Sequence, residues 1–193
     1  LTTDNRLAAT NSLLNATTRC LPLAQWNRID TVMDAIFTTF EKSEILNDPS
    51  MGAALIARGW VMLHRYDLTN AIREITKGLE IAKQSGIRAW QLGGFPLIQA
   101  MIQQGELHLV EHRMAALLQV VQEAPENIRG FLSRLLSHIY IDLGELDTAA
   151  DWLRKTDNTI EDQLAAIRLQ IFQGGANYSE MITALNPILV QLE

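Results

Sequence analysis

The stretch GELDTA at 144–149 has the form of a tight corner between two helices. Gly144 suits a left-handed helix end, Glu145 an N-cap, Leu146 a wedge in the corner, and Ala149 a small contact three positions on, where paired helices approach closely. The same pattern stands at 105–110 as GELHLV and at 66–71 as YDLTNA, so the corner recurs at 66, 105 and 144, 39 residues apart each time. A fourth copy reads as Ala176-Asn177-Tyr178 with Met181, 32 residues after Gly144. A supersecondary unit that repeats at this interval predicts stacked helical hairpins.

The segments around the corners agree. Leu68, Ala71, Ile72, Ile75, Leu79 and Ala82 share one helical face, and Gly86 stands where a C-cap belongs. Asp48-Pro49 reads as an N-cap and first-turn proline, which predicts a helix over 49–64. Leu55, Gly59 and Met62, then Leu97, Ile98 and Met101, then Leu136, Ser137 and Tyr140 form the facing stripe on the first helix of each pair. Gly93, Gly94 and Pro96 predict a late start or a kink in the helix that holds them. A divergent first hairpin at 1–45 combines a helix over 4–19 with one over 22–42 carrying Trp26, Ile29, Val32, Met33, Ile36, Phe37 and Phe40. Repeats follow at 49–85, 88–124, 126–156 and 158–193. Period-2 alternation is nearly absent, so the expectation is a single all-α domain over 1–193, a right-handed superhelix (α-solenoid) of about ten helices.

Of the 193 residues, 48% are hydrophobic and 20% charged, which suits a soluble globular chain and neither a disordered nor a membrane-spanning one. The formal net charge of −6 argues against a surface for phosphate backbones or anionic lipid. Cys20 is the single cysteine, so no internal disulfide or thiolate cluster is available, and a cytoplasmic setting is expected. A first residue of Leu rather than Met suggests a fragment of a larger chain.

The repeated corners resemble tetratricopeptide repeats, whose glycine, bulky corner residue and later alanine match Gly144, Leu146 and Ala149. LGELDTAADWLRK at 143–155 and LAAIRLQIFQGGANYSEMITALNPILVQLE at 164–193 resemble the closing repeats of the superhelix in MalT-type, LuxR-family transcriptional activators. The resemblance covers about residues 49–193. It implies a superhelix that senses an inducer or a partner between a nucleotide-binding ATPase and a DNA-binding helix-turn-helix. Two positions depart from the pattern: Tyr66 replaces the corner glycine, and Arg58 falls where a buried aliphatic is expected.

Catalytic constellations are weak. His108 and His112 share a helix face with Glu111 beside them, but the H-E-x-x-H order is missing and a third ligand is not evident, so no metal site is expected. The serines lack a G-x-S-x-G frame, no P-loop motif occurs, and the pairs Glu41/Glu44, Glu123/Glu126 and Glu161/Asp162 fall near helix ends, where capping explains them. The expectation is therefore a non-catalytic sensor or protein-interaction domain of a multidomain bacterial regulator or signalling ATPase, without a cofactor and without direct nucleic-acid or membrane contact. A freestanding adaptor is the alternative, and a metal-dependent hydrolase the remote one.

The candidate site is the concave wall. Counted back from each corner, the inner positions are Ile56, Trp60 and His64, then Phe95, Gln99 and Gln103, then Phe131, Arg134 and His138. Trp60, Phe95, Gln99, Arg134 and His138 are the expected ligand residues, with the aromatics as apolar contact area and an exposed Arg134 pairing with a carboxylate or phosphate. The expected partner is a protein or peptide segment, or a small-molecule inducer. Against this stands the reading of Trp60 and Phe95 as packing residues between repeats.

Overall fold

Three corners of the chain carry one hydrogen-bond pattern at one interval. In the computed structural model, the N–H groups of Asp67, Glu106 and Glu145 donate to the carbonyls of Met62, Met101 and Tyr140 at 3.0, 2.9 and 2.9 Å. Just before them, the N–H groups of Tyr66, Gly105 and Gly144 donate to Leu63, Ile102 and Ile141, each at 3.0 Å. This double closure is the Schellman motif, and it needs a left-handed residue at the corner. Gly105 and Gly144 supply it with φ of 84° and 79°, and Tyr66 adopts it at 61°.

The structure describes residues 26–42, 49–83, 89–156, 159–174, 183 and 185. Among them lie eight helices and no strand: α1 (Trp26–Lys42), α2 (Pro49–His64), α3 (Leu68–Lys83), α4 (Ala89–Gln104), α5 (Leu107–Gln122), α6 (Glu126–Asp142), α7 (Leu146–Leu153) and α8 (Ile160–Phe172). The chain is all-α as expected, and α2 to α8 fall within the expected repeats. The expected helix over 4–19, the caps at Asp48 and Gly86 and the copy at Ala176-Asn177-Tyr178 lie outside the described residues. A further left-handed corner stands at Gly174, φ 69°, whose N–H donates to Ile171 at 3.1 Å.

The chain divides into two compact units, Leu1–Leu117 and Leu118–Glu193, with the boundary inside α5. In the first, α1 packs on α2, α2 on α3, and α4 on both α2 and α3. In the second, α6 packs on α7, and α8 on both. Each unit thus contains a hairpin followed by the first helix of the next, which touches both of its predecessors.

Close approach of α2 and α3 depends on small residues. A Cβ on Gly59 would stand 2.5 Å from Ile75 Cγ1 and 2.9 Å from the Ala71 carbonyl, so only hydrogen fits there. Ala71 and Ile75 are fully buried opposite it, and full burial of an Ile stabilises by roughly 1.5–3 kcal/mol. The corner-plus residues Ala71, Val110 and Ala149 are all buried, as their small size at that position predicts. In the second unit Ile141, Ala149 and Leu169 form a core cluster with Tyr140, Leu146, Ala150 and Leu153 against it.

Two local expectations are corrected. The acidic residue after each corner was expected to cap the next helix through its side chain, but Glu145 makes no side-chain cap hydrogen bond. Its backbone carbonyl accepts from Ala149 at 3.0 Å, as Asp67 accepts from Ala71 at 2.9 Å. The acidic side chains reach forward along the helix instead, Asp67 Oδ2 accepting from Asn70 at 2.8 Å. The second correction concerns the late start, one of the two outcomes expected at Gly93, Gly94 and Pro96: α4 runs through all three from Ala89. Gly93 earns its place by proximity, since a Cβ there would lie 3.0 Å from Ile56 Cδ1 and Leu79 Cδ2.

Candidate functional site

Trp60, Gln99 and His138 stand six residues before their corners, and Ile56, Phe95 and Arg134 ten before. One turn of helix separates each pair, so in every repeat they share a face. In the first unit that face is closed. Trp60 is 4% exposed, Ile56 and Phe95 are fully buried, and Gln99 is half-buried. Trp60 and Phe95 therefore belong to the packing of this unit and do not line an open wall, which corrects the expectation for both. The physical reason is the contact of α2 with α4: the inner register positions of first helices are spent on their neighbours.

In the second unit the same register is ionic. Arg134 Nη1 donates to Asp162 Oδ1 at 3.0 Å and to Thr159 Oγ1 at 2.9 Å. The Arg134 side chain is 13% exposed and that of Asp162 only 5%. Asp162 at the same time closes the capping box of α8, accepting from the Thr159 N–H at 2.7 Å while its own N–H donates to Thr159 Oγ1 at 3.3 Å. Arg134 thus clamps α6 onto the first turn of α8, and the exposed, ligand-pairing Arg134 of the sequence reading is corrected to an internal ion pair. Its guanidinium also lies 5.3 Å from the Phe131 ring centroid.

Four residues further along α6, His138 Nδ1 stands 3.0 Å from Arg168 Nη1, which as a guanidinium can only donate, so Nδ1 accepts. Arg168 stands six residues before Gly174 and is thus the register equivalent of His138 in the next repeat. Arg168 also pairs with Asp142 on α6. Arg134, His138 and Asp142 on α6 thus meet Thr159, Asp162 and Arg168 of the α8 segment along one polar seam. The cations and carboxylates compensate one another inside the chain, which is what buried charge requires.

A comparable junction lies in the first unit. Arg58 Nε donates to Glu74 Oε2 at 3.1 Å, Arg73 stands 3.7 Å from the other Glu74 oxygen, and the Arg58 guanidinium covers the Phe37 ring at 3.9 Å. Arg65 grips Asp30 with two hydrogen bonds, at 2.8 and 2.7 Å. Both arginines tie α1 to the hairpin that follows.

Sequence reasoning missed Asp162, Arg168, Asp142 and Glu74 as partners. The Thr159-x-x-Asp162 spacing signals the capping box, whereas the α6–α8 and α2–α3 pairings are long-range and leave no local trace. Ser133 was also missed: its Oγ is buried with no hydrogen-bond partner among the described residues. Among titrating groups, burial first and the Glu145 carboxylate second push the Tyr140 phenol above its ordinary value.

His108, Glu111 and His112 are exposed on α5. Among the described residues no group of three or more His, Cys, Asp and Glu is arranged to hold a metal ion, and no helix is long and apolar enough to cross a membrane. No protein-family model matches the chain, and no curated protein matches it either.

Proposed function

We propose that this chain is a non-catalytic helical-repeat domain that binds a protein or peptide segment, serving as the sensor or interaction segment of a multidomain transcriptional regulator or signalling ATPase. The observation that carries the reading is the recurrence of one Schellman corner at 66, 105 and 144, each followed by a buried small residue on the next helix. A scaffold that repeats a hairpin extends its surface with every copy, which is the architecture of binding solenoids. A right-handed superhelix of tetratricopeptide-like hairpins is the arrangement this period favours. The likeness of 143–155 and 164–193 to MalT-type repeats supports the regulator as the setting, and the single cysteine favours the cytoplasm.

Charge supports a protein partner over a nucleic acid, because a net −6 supplies no general field for phosphates. The charged seam of the second unit favours a scaffold role for its residues, since Arg134 and Asp162 already satisfy each other. The gene tests the reading: an open reading frame that places a P-loop ATPase before this segment and a helix-turn-helix after it supports the regulator. A frame holding the repeats alone replaces it with an adaptor.

A further inference from the structure

Among the described residues of the first unit, the exposed large apolar side chains stand at or just after its corners. Tyr66 is 80% exposed, Leu107 54% and Leu109 38%. They flank two corners 39 residues apart, after α2 and after α4. These helices run in the same direction. The three residues between α2 and α3 force one reversal. Gly93, early in α4, stands beside Leu79, late in α3, and the two helices pack together, so α4 runs back along α3. Since α2 packs on α4, with Ile56 beside Gly93, both corners lie at one end of the unit.

Tyr66 is the telling member. Its two equivalents one and two periods on are Gly105 and Gly144, which occupy the left-handed conformation without steric cost. A tyrosine at φ 61° is strained there, and bulky residues in this region are true outliers. Nothing within the described chain repays the strain, because the ring is solvated and its hydroxyl makes no hydrogen bond among the described residues. The corner charges are one-sided. Arg65 is engaged by Asp30, while among the described residues no cation pairs with Asp67 or Glu106.

We infer that this corner edge is a docking surface for a basic peptide segment, in which an aliphatic or aromatic side chain lies against Tyr66, Leu107 and Leu109 and flanking Lys or Arg residues meet Asp67 and Glu106. The inference rests on the reading of the chain as an interaction domain and names the surface and partner chemistry that reading leaves open. Apolar contact area with a Tyr anchor supplies affinity, and the paired carboxylates supply the choice of sign.

Short fluorescein-labelled peptides of Leu and Lys, and of Leu and Glu, titrated into the whole chain by anisotropy, test it. The Lys peptide binds in preference to the Glu peptide, and less tightly as salt rises. Tyr66→Gly weakens it by roughly tenfold, the loss of one anchor side chain, while raising the melting temperature because the strain is gone. Tyr66→Phe retains binding, and Asp67→Asn with Glu106→Gln flattens the salt dependence. Equal binding of the two peptides, no binding of the Lys peptide, or a lower melting temperature in Tyr66→Gly overturns the docking edge. Lys-peptide binding that survives Tyr66→Gly moves the surface elsewhere and leaves the interaction-domain reading intact, whose own failure shows in the reading frame. A concentration-dependent dimer abolished by Tyr66→Gly, seen by sedimentation, gives the edge to a second copy and overturns the peptide.

Discussion

Arg58 Nε donates to Glu74 Oε2 at 3.1 Å from one helix of a hairpin to the other, and the same guanidinium covers Phe37 on the preceding helix. One side chain therefore joins α1, α2 and α3, at a position where the repeat pattern calls for an aliphatic residue. The pair is unequal. The Glu74 side chain is 10% exposed and that of Arg58 35%, so the carboxylate depends on its partner more than the guanidinium does.

Arg58→Ala strands a nearly buried carboxylate that, among the described residues, keeps Arg73 at 3.7 Å, and is expected to cost about 2–3 kcal/mol. Glu74→Ala leaves a guanidinium that water already reaches, at about 1 kcal/mol. The double change to Leu at both positions is expected within about 1 kcal/mol of the parent, since an apolar pair can replace a buried ion pair. Urea midpoints of the four proteins check the order; equal losses in the two single variants contradict it.

At Gly144 nothing lies within 4 Å of an added Cβ, so substitution meets only the backbone conformation. Gly144→Ala is expected to cost about 1 kcal/mol and Gly144→Val on the order of 1–3 kcal/mol, with Asn the mildest of the three. Gly59→Ala has the opposite cause, collision with Ile75 and the Ala71 carbonyl, and is expected to exceed Gly144→Ala. Thermal melts distinguish them. An unchanged melting temperature for Gly144→Val removes the corner from the account.

Removal of Arg134 is expected to destabilise the second unit by roughly 1–3 kcal/mol, since it uncovers Asp162 and frees Thr159 of one donor. Asp162 keeps its capping bonds, which holds the cost below that of a fully orphaned charge. Hydrogen exchange resolves the effect in space: amides at the start of α8 lose protection first. Full protection there in Arg134→Ala is the contrary result.

Tyr140 gives the chain a limit at alkaline pH. Its phenol is held above the ordinary value of 10.0 in the folded state, so the unfolded chain releases that proton first. The contribution is complete below pH 10.0 and is lost as pH rises from there through the folded value. The urea midpoint is expected to fall across that range, and to fall less in Tyr140→Phe. A parent and variant with parallel pH profiles exclude Tyr140 as the cause.

The corners were legible because their information is local. A Schellman closure spans six consecutive residues, so Gly105 and Gly144 announce it without help from the rest of the chain. Helix extent was legible for the same reason: α2 and α3 follow from Pro49 and from the apolar face of Leu68 to Ala82. Gly174, left-handed at φ 69°, was not read as a corner, because its hydrogen-bond closure falls 30 residues after Gly144 and outside the 39-residue interval.

By itself, then, the sequence determined the helical class, the 39-residue interval and the places of the corners at 66, 105 and 144, all set by contacts between residues a few positions apart. What each first-helix face touches was decided only by tertiary structure. The same register holds Trp60 and Phe95 in an apolar seam and Arg134 and His138 in an ionic one, and both seams close against a helix dozens of residues away in sequence. A periodic pattern says which side chains share a face, but burial depends on what is packed across from it. Arg134 became an internal clamp because Asp162 lies opposite, and Tyr66 kept its solvent exposure because its corner turns the ring away from every described neighbour.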